Sequence, residues 1–158
     1  MTNKAIGIFI LIVGLMAFSM FESTKYKCLI QMKNYDGEGA YTIISLLNPE
    51  GEYEKTLYVL GEDEDWYHDI DEWWKFHGRV RSNIDAITGA TISGGNRAIS
   101  VIEIDNDKID KGYSIRFETA VEDQEYYTSD VEFKLTKESV NSKIEGKGFI
   151  RYIRMTPQ

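Results

Sequence analysis

Apolar and polar side chains alternate over much of the chain, and this period of two residues constrains the fold more than any other feature. Tyr26, Cys28, Ile30 and Met32 alternate with lysine and glutamine between residues 25 and 33. The same alternation recurs in the segments 113–121 and 130–135. Successive side chains of a strand point to opposite faces, so this pattern is typical of antiparallel sheets with one buried and one solvated face.

The polar positions of segment 113–121 are Ser114, Arg116 and Glu118, which the alternation assigns to a solvated face. Less regular strands are predicted near Tyr41–Leu47, Thr56–Leu60, Arg97–Ile104 and Gly148–Met155. About seven short strands separated by turn-forming residues predict an all-β fold, an immunoglobulin-like antiparallel β-sandwich. We expect residues 23–158 to form this sandwich as one domain, with Cys28 facing inward from the first strand.

One segment breaks the period of two and predicts a short helix within the sandwich. Asp69 stands three positions before Glu72, the spacing of a helix-start signature. Ile70, Trp73, Trp74 and His77 then follow at helical spacing. The aromatic side chains of this region form the buried face of the helix or offer rings on which a bound group can stack; they are Trp66, Tyr67, Trp73, Trp74 and Phe76. Both roles are compatible if one of the adjacent tryptophans faces inward and the other outward, and Trp74 is the candidate for binding such a group.

Residues 1–22 differ from the rest of the chain. Lys4 precedes the apolar stretch Ala5–Met16, which is followed by Ala17, Phe18 and Ser19. A basic start, an apolar segment and a small-x-small site are the parts of a secretory signal peptide. The apolar character continues to Phe21, so an uncleaved membrane anchor is the alternative. Either reading places the body of the protein outside the cytoplasm, in the periplasm or an equivalent extracytosolic space.

The net charge of −8 argues against nucleic-acid binding, because no basic patch is available to neutralise phosphates. His68 and His77 suggest a metal- or haem-associated accessory protein, but their spacing matches no established zinc or iron pattern. A hydrolase built on Ser93 and His77 has no support in the sequence, which offers no nucleophile in a defined turn beside a base. We therefore predict neither catalytic nor metal-ligating residues.

The segment from Asp85 to Thr91 reads D-A-I-T-G-A-T and lies in the longest irregular region, after the predicted helix. Gly89 permits backbone conformations closed to other residues, and Ala90 adds little bulk, so the Thr91 hydroxyl would have little steric cover. Asp85 can accept a hydrogen bond from the loop and fix its shape. This composition suits a hydroxyl that another enzyme must reach, and it also suits a plain turn of small residues.

The same residues resemble the flavinylation motif D-x-x-(S/T)-G-A-T of exported FMN-carrying domains. In that motif a phosphodiester joins the last threonine to FMN, and an extracytosolic, magnesium-dependent ApbE-type flavin transferase installs the FMN from FAD. The resemblance implies that Thr91 is the attachment site. It implies that Asp85, Thr88, Gly89 and Ala90 are the residues recognised around it.

A second resemblance covers more of the chain. The succession of Leu57–Gly61, Trp66–Trp74, Asp85–Thr91, Gly112–Tyr113 and Glu118–Ala120 resembles a family of predicted periplasmic proteins of unknown function. In that family a small β-sandwich would span roughly residues 25–136, and Lys137–Gln158 would extend beyond it with one last strand. Members occur alongside flavin transferases and PepSY-type membrane proteins, and are thought to be flavinylated electron carriers.

These resemblances predict an extracytosolic electron-transfer protein with covalent FMN, a redox carrier rather than a stand-alone enzyme. Its expected partners are the ApbE-type transferase and a membrane-bound, PepSY-like redox protein. The alternative is an exported β-sandwich that serves as a binding or assembly module without a cofactor.

Overall fold

A computed structural model describes residues 22–80 and 82–158 of the chain. The strands found there are β1 (Ser23–Met32), β2 (Tyr41–Leu47), β3 (Tyr53–Leu60), β4 (Thr88–Gly89), β5 (Arg97–Asp105), β6 (Ser114–Ala120), β7 (Tyr126–Lys134), β8 (Lys143–Glu145) and β9 (Ile150–Pro157). One α-helix, α1, spans Asp71–Val80. No helix in these residues is long and apolar enough to cross a membrane. The predicted signal peptide or anchor lies outside the described residues, except for Glu22.

The strands form two sheets, which confirms the prediction of an all-β sandwich. The four-stranded sheet has the order β5-β1-β9-β8, and the five-stranded sheet has the order β4-β3-β2-β6-β7. All pairings are antiparallel except that of β3 with β4. The two strands that the sequence did not predict, β4 and β8, are two and three residues long. Segments this short carry too few residues to show an alternation.

The main core lies between the two sheets and follows the predicted alternation. Cys28 and Ile30 of β1 are completely buried, as are Ile44 of β2, Phe117 of β6 and Ile153 of β9. The inward orientation predicted for Cys28 is confirmed, and burial raises the pKa of its thiol to about 12. The lysines of β1 point to the opposite, exposed face of the four-stranded sheet. Here the period of two separates buried from solvated side chains as expected.

The five-stranded sheet is covered on both faces, and one sequence prediction is wrong for this reason. Helix α1 and the 3-10 turn Glu64–Asp69 pack on its outer face, where Trp73 and Ile43 belong to a second buried cluster. Ser114 and Glu118, which the alternation assigned to a solvated face, are both buried, and Glu118 is completely so. Its carboxylate accepts hydrogen bonds from the hydroxyls of Tyr53, at 2.6 Å, and Tyr126. The alternation reports the two faces of a strand but not what covers the second one.

Helix α1 begins one residue later than the capping signature predicted. Asp69 ends the preceding 3-10 turn, and its carboxylate lies 3.2 Å from Nε2 of His68 instead of capping the helix. The backbone N–H of Glu72 donates to the hydroxyl of Tyr126 at 3.2 Å. A residue of β7 therefore supplies the acceptor that the sequence pattern had assigned to Asp69.

The C-terminal residues belong to the sandwich rather than extending beyond it. Strand β9 lies between β1 and β8, and its register with β1 runs from Tyr26 opposite Pro157 to Met32 opposite Ile150. The prediction of a strand in this region is confirmed, but the family core implied by the resemblance, which ended near residue 136, is too short. Ile150 and Ile153 are both completely buried between the sheets.

Candidate functional site

The D-A-I-T-G-A-T segment is held at its fourth and fifth residues by a short parallel strand pairing. Thr88 lies opposite Val59 and Gly89 opposite Leu60. The N–H of Gly61 donates to the carbonyl of Gly89 at 2.6 Å. The segment is thus fixed to the edge of the five-stranded sheet at residues that the sequence had placed in an irregular loop.

Three residues after Gly89, at Ile92, the backbone is fixed again. Ile92 and Ala40 form a β-bridge, with N–H to carbonyl distances of 2.8 and 3.1 Å in the two directions. The hydroxyl of Tyr35 accepts from the N–H of Ala40 at 2.8 Å and donates to the carbonyl of Ile92. Ile92 is buried, so its side chain adds an apolar anchor to these hydrogen bonds.

Between these two fixed points only Ala90 and Thr91 remain, and both are exposed. We call residues 88–92 the arch, because its ends are hydrogen-bonded to the protein and its middle stands out from the surface. The short span limits how far Thr91 can move. The exposure of residue Thr91 is compatible with the prediction of a side chain that another enzyme can reach.

Gly39 lies directly behind Thr91, a proximity that the sequence did not reveal. A methyl group at Gly39 would lie 2.8 Å from Cβ of Thr91 and closer still to its hydroxyl oxygen. Separations below 3.0 Å essentially never occur for real Cβ atoms, so glycine is required at this position for close approach. The only sequence signal was a run of turn-forming residues from Asn34 to Gly37, which indicates a loop but not where it returns.

The remaining residues of the motif have different surroundings. Thr88 is half-buried, and its hydroxyl donates to the carbonyl of Ile84 at 2.8 Å. Asp85 is exposed, and no hydrogen bond to its carboxylate comes from residues 22–80 or 82–158. Its N–H instead donates to Oδ1 of Asn83 at 2.9 Å. The side chain that shapes this turn is therefore Asn83, where the sequence suggested Asp85.

Thr91 lies on the rim of a cleft of about 500 Å³. We call it the acidic cleft. Its walls include the carboxylates of Glu38, Asp69, Glu122 and Asp123 and the aromatic rings of Tyr41, Trp66 and Tyr126. Lysine and arginine are absent from the walls formed by the described residues. The volume lies within the usual range for small-molecule sites.

A second cleft of about 320 Å³ opens on the other side of Thr91. We call it the strand cleft, because Arg97, Ala98 and Ile99 of β5 form one wall. Tyr58 and Asn96 also line it. A methyl group at Gly89 would lie 3.2 Å from the hydroxyl of Tyr58, so the arch and this wall are closely packed. Thr91 therefore stands between an acidic, aromatic cleft and a smaller cleft that contains a cation.

The two adjacent tryptophans of α1 face opposite ways, which is the arrangement that makes both roles of the aromatic side chains compatible. Trp73 is completely buried, and its indole N–H donates to Oγ1 of Thr56 at 2.9 Å. Trp74 is 38% exposed and lines neither of the clefts that Thr91 borders. The exposed aromatic side chain that does share a cleft with Thr91 is Trp66, on the 3-10 turn before the helix.

The histidines occupy separate environments. His77 is almost completely buried and stacks on Trp73 with ring centroids 4.6 Å apart. Burial lowers its pKa, and the charge of Glu64 opposes this shift. His68 is exposed beside Asp69. Across the described parts of the chain, no group of three or more His, Cys, Asp or Glu side chains is arranged to hold a metal ion.

Comparison with known proteins identifies a family. No curated protein and no solved structure matches the chain. A family model described as "Predicted periplasmic protein (DUF2271)" matches residues 23–152. This span runs from the start of β1 into β9 and contains the arch, and the family description supports an extracytosolic location. The chain therefore belongs to the DUF2271 family of predicted periplasmic proteins.

Proposed function

We propose that this protein is an extracytosolic redox carrier with FMN joined by a phosphodiester to Oγ1 of Thr91. The observation that carries the proposal is the arch, which holds the exposed residue Thr91 between two fixed points in the lining of a cleft. The D-x-x-T-G-A-T residues around it provide the independent sequence support. FMN, when bound, would supply reversible electron transfer.

The residues around Thr91 fit such a group. The acidic cleft is large enough for a small-molecule ring system and has aromatic walls on which it can stack. No described residue accepts a hydrogen bond from the Thr91 hydroxyl, so the base that activates it would come from the transferase. In the attachment step Oγ1 of Thr91 would attack the FMN phosphorus of FAD, AMP would leave, and the hydroxyl proton would pass to that base. Exposed Asp85 and Ala90 would be accessible to the same enzyme.

The proposed partners follow from this chemistry. An ApbE-type transferase would load the protein outside the cytoplasm, and a PepSY-like membrane protein would exchange electrons with the flavin. The two-sheet core would act as the rigid support, in an immunoglobulin-like sandwich. The covalent bond would retain the cofactor in a compartment where a dissociated flavin diffuses away. An export segment in residues 1–22 completes the proposal.

The attachment residue is tested by co-expressing variants with the transferase and recording flavin fluorescence of the denatured protein. Thr91→Val should abolish the signal, because valine keeps the shape of threonine and lacks the nucleophilic oxygen. Thr91→Ser should retain it. Ser93→Ala is the matched control, since Ser93 is also exposed and lines the strand cleft with Thr91. Flavin fluorescence from the denatured Thr91→Val protein would exclude this threonine as the attachment site. A wild-type protein without flavin fluorescence would favour the alternative, a binding or assembly module without a cofactor.

Gly39→Ala should reduce loading without removing the hydroxyl. The added methyl group collides with Thr91, and overpacking of this kind costs about 1–3 kcal/mol. If the native position of Thr91 must be restored for modification, loading rates fall roughly five- to hundredfold. Asp36→Ala, at an exposed position in the same loop, is the control and should load normally. Equal loading of Gly39→Ala and wild type would show that the transferase does not need the observed position of Thr91.

A further inference from the structure

A group attached to Thr91 can enter either of two clefts, and the walls of these clefts differ. The acidic cleft is the larger, at about 500 Å³ against about 320 Å³, and contains three aromatic rings. The strand cleft contains one aromatic side chain, Tyr58, together with Arg97. The question of which cleft holds the flavin ring rests on the proposed function.

Trp66 is the first observation that favours the acidic cleft. It is 40% exposed, whereas its neighbour Tyr67 is buried and makes edge-on contacts with Tyr41 and Trp73. Within the described residues, the indole of Trp66 makes no ring contact and its N–H donates no hydrogen bond. A large apolar ring left partly in water and without a partner has a surface available for stacking.

The position of Trp66 is nevertheless well defined by its backbone. It lies in the 3-10 turn Glu64–Asp69, which Asp63 caps by accepting from the N–H of Asp65 at 3.1 Å. The next residue, Tyr67, anchors the turn, since its hydroxyl donates to the carbonyl of Gly61 at 2.8 Å. Burial raises the pKa of Tyr67 to about 12, so the hydroxyl remains a donor at neutral pH. Gly61 in turn is hydrogen-bonded to Gly89, which connects this turn to the arch.

Electrostatics gives a second, independent reason. Four carboxylates line the acidic cleft and no cation among the described residues offsets them there, so a phosphodiester anion is disfavoured inside it. Arg97 lines the strand cleft together with Thr91 and favours an anion on that side. Oxidised isoalloxazine is uncharged and aromatic, and therefore tolerates the acidic walls that repel the phosphate.

We propose that the acidic cleft holds the isoalloxazine ring of FMN attached to Thr91, with the ring stacked on Trp66. The phosphodiester then remains at the rim, on the side of Arg97. Trp66 is a binding residue in this arrangement, and Tyr41 and Tyr126 provide the remaining aromatic walls.

Flavin fluorescence of the loaded protein tests this proposal, because stacked indole and phenol rings quench flavin emission. Each loaded variant is compared folded and denatured, which corrects for the amount of flavin attached. Loss of one aromatic stack, worth about 0.5–1.5 kcal/mol, lowers the stacking equilibrium constant roughly two- to tenfold, so the small unstacked and emissive fraction rises by about that factor. Trp66→Ala should therefore raise folded-state emission by about that factor, and Trp66→Tyr, whose phenol ring can both stack and quench, should restore most of the quenching. Tyr58→Ala, on the opposite side of Thr91, should leave emission unchanged.

The outcomes separate this proposal from the proposed function. Intact mass first shows whether the wild-type protein is loaded, and an unloaded protein refutes the proposed function and this inference with it. A loaded protein in which Tyr58→Ala brightens and Trp66→Ala does not would place the ring in the strand cleft and overturn the inference. A loaded protein in which neither variant changes emission would place the ring outside both clefts, which also overturns it.

Discussion

Replacing Asp130 with alanine is expected to lower the free energy of unfolding by about 4 kcal/mol, because three buried donors lose their acceptor together. Asp130 is completely buried in β7. One carboxylate oxygen accepts from Oγ1 of Thr119 at 2.6 Å and from the N–H of Ile150 at 2.8 Å. The other accepts from the N–H of Gly148 at 2.7 Å.

These bonds join the two sheets at one edge. Thr119 belongs to β6 of the five-stranded sheet, and Ile150 begins β9 of the four-stranded sheet. The loop between β8 and β9 folds closely around the carboxylate. A methyl group at Gly146 or Gly148 would lie 2.7 or 2.9 Å from its oxygens. The carboxylate therefore replaces the hydrogen bonds that the backbone of this loop would otherwise make to water.

Urea unfolding at neutral pH measures the effect. Asp130→Asn should be intermediate, since the amide keeps one acceptor oxygen and turns an NH₂ group toward donors. Thr128→Ala is the matched control at an exposed position of the same strand and should change stability by less than about 0.5 kcal/mol. If the free energy of unfolding of Asp130→Ala lies within about 1 kcal/mol of the wild-type value, the Asp130 carboxylate is not the link between the sheets.

The second large effect concerns Glu118 and pH. Burial raises its pKa from the ordinary 4.5 to about 7, an effect that the hydroxyls of Tyr126 and Tyr53 and the charge of Arg116 oppose. Glu72 on α1 adds a like charge that also raises the pKa. The folded protein therefore holds a proton between pH 4.5 and 7 that the unfolded chain has lost.

The sign of the dependence follows from this difference in bound protons. The stabilising contribution of Glu118 to the free energy of unfolding is complete below pH 4.5 and is lost as the pH rises to about 7. One pKa unit corresponds to about 1.4 kcal/mol, so the total change is roughly 3 kcal/mol. Other carboxyl groups add their own pH dependence, and a variant of Glu118 alone is needed to isolate this contribution.

Glu118→Gln provides that comparison, because glutamine keeps an acceptor and a donor for the two tyrosines and does not titrate. The stability of wild type relative to Glu118→Gln should fall by about 3 kcal/mol between pH 4.5 and 7.5. Tyr53→Phe, which removes one donor to the carboxylate, should extend the fall to higher pH. If the difference in the free energy of unfolding between wild type and Glu118→Gln stays constant across this pH range, Glu118 does not have a raised pKa in the folded protein.

The burial of Glu118 also shows where sequence reasoning about the fold reached its limit. The period of two identified β1 of one sheet and β6 and β7 of the other, and it gave the inward face of β1, because the side chains of β1 alternate between core and water. Glu118 is polar in the same pattern and was assigned to water. Whether a helix covers that face depends on how residues 61–87 fold back over the sheet, and no local pattern in β6 reports it.

In the candidate site too, the sequence predicted local features and missed those that depend on contacts between distant segments. The motif itself predicted an exposed Thr91, and the structure agrees. Gly39 was not predictable, because its proximity to Thr91 depends on the Ala40–Ile92 bridge between distant segments. Helical spacing drew attention to Trp74, whereas the aromatic side chain that shares a cleft with Thr91 is Trp66. Trp66 follows the acidic run 62–65, which reads as a solvated loop and gave no sign of the 3-10 turn.

The intact mass of the exported protein, after co-expression with an ApbE-type flavin transferase, tests the proposed function most directly. The mass of the wild-type protein should increase by one FMN phosphodiester, and Thr91→Val should show no increase. Cells that label a known acceptor while leaving this protein at its unmodified mass would contradict the proposal that Thr91 carries a flavin.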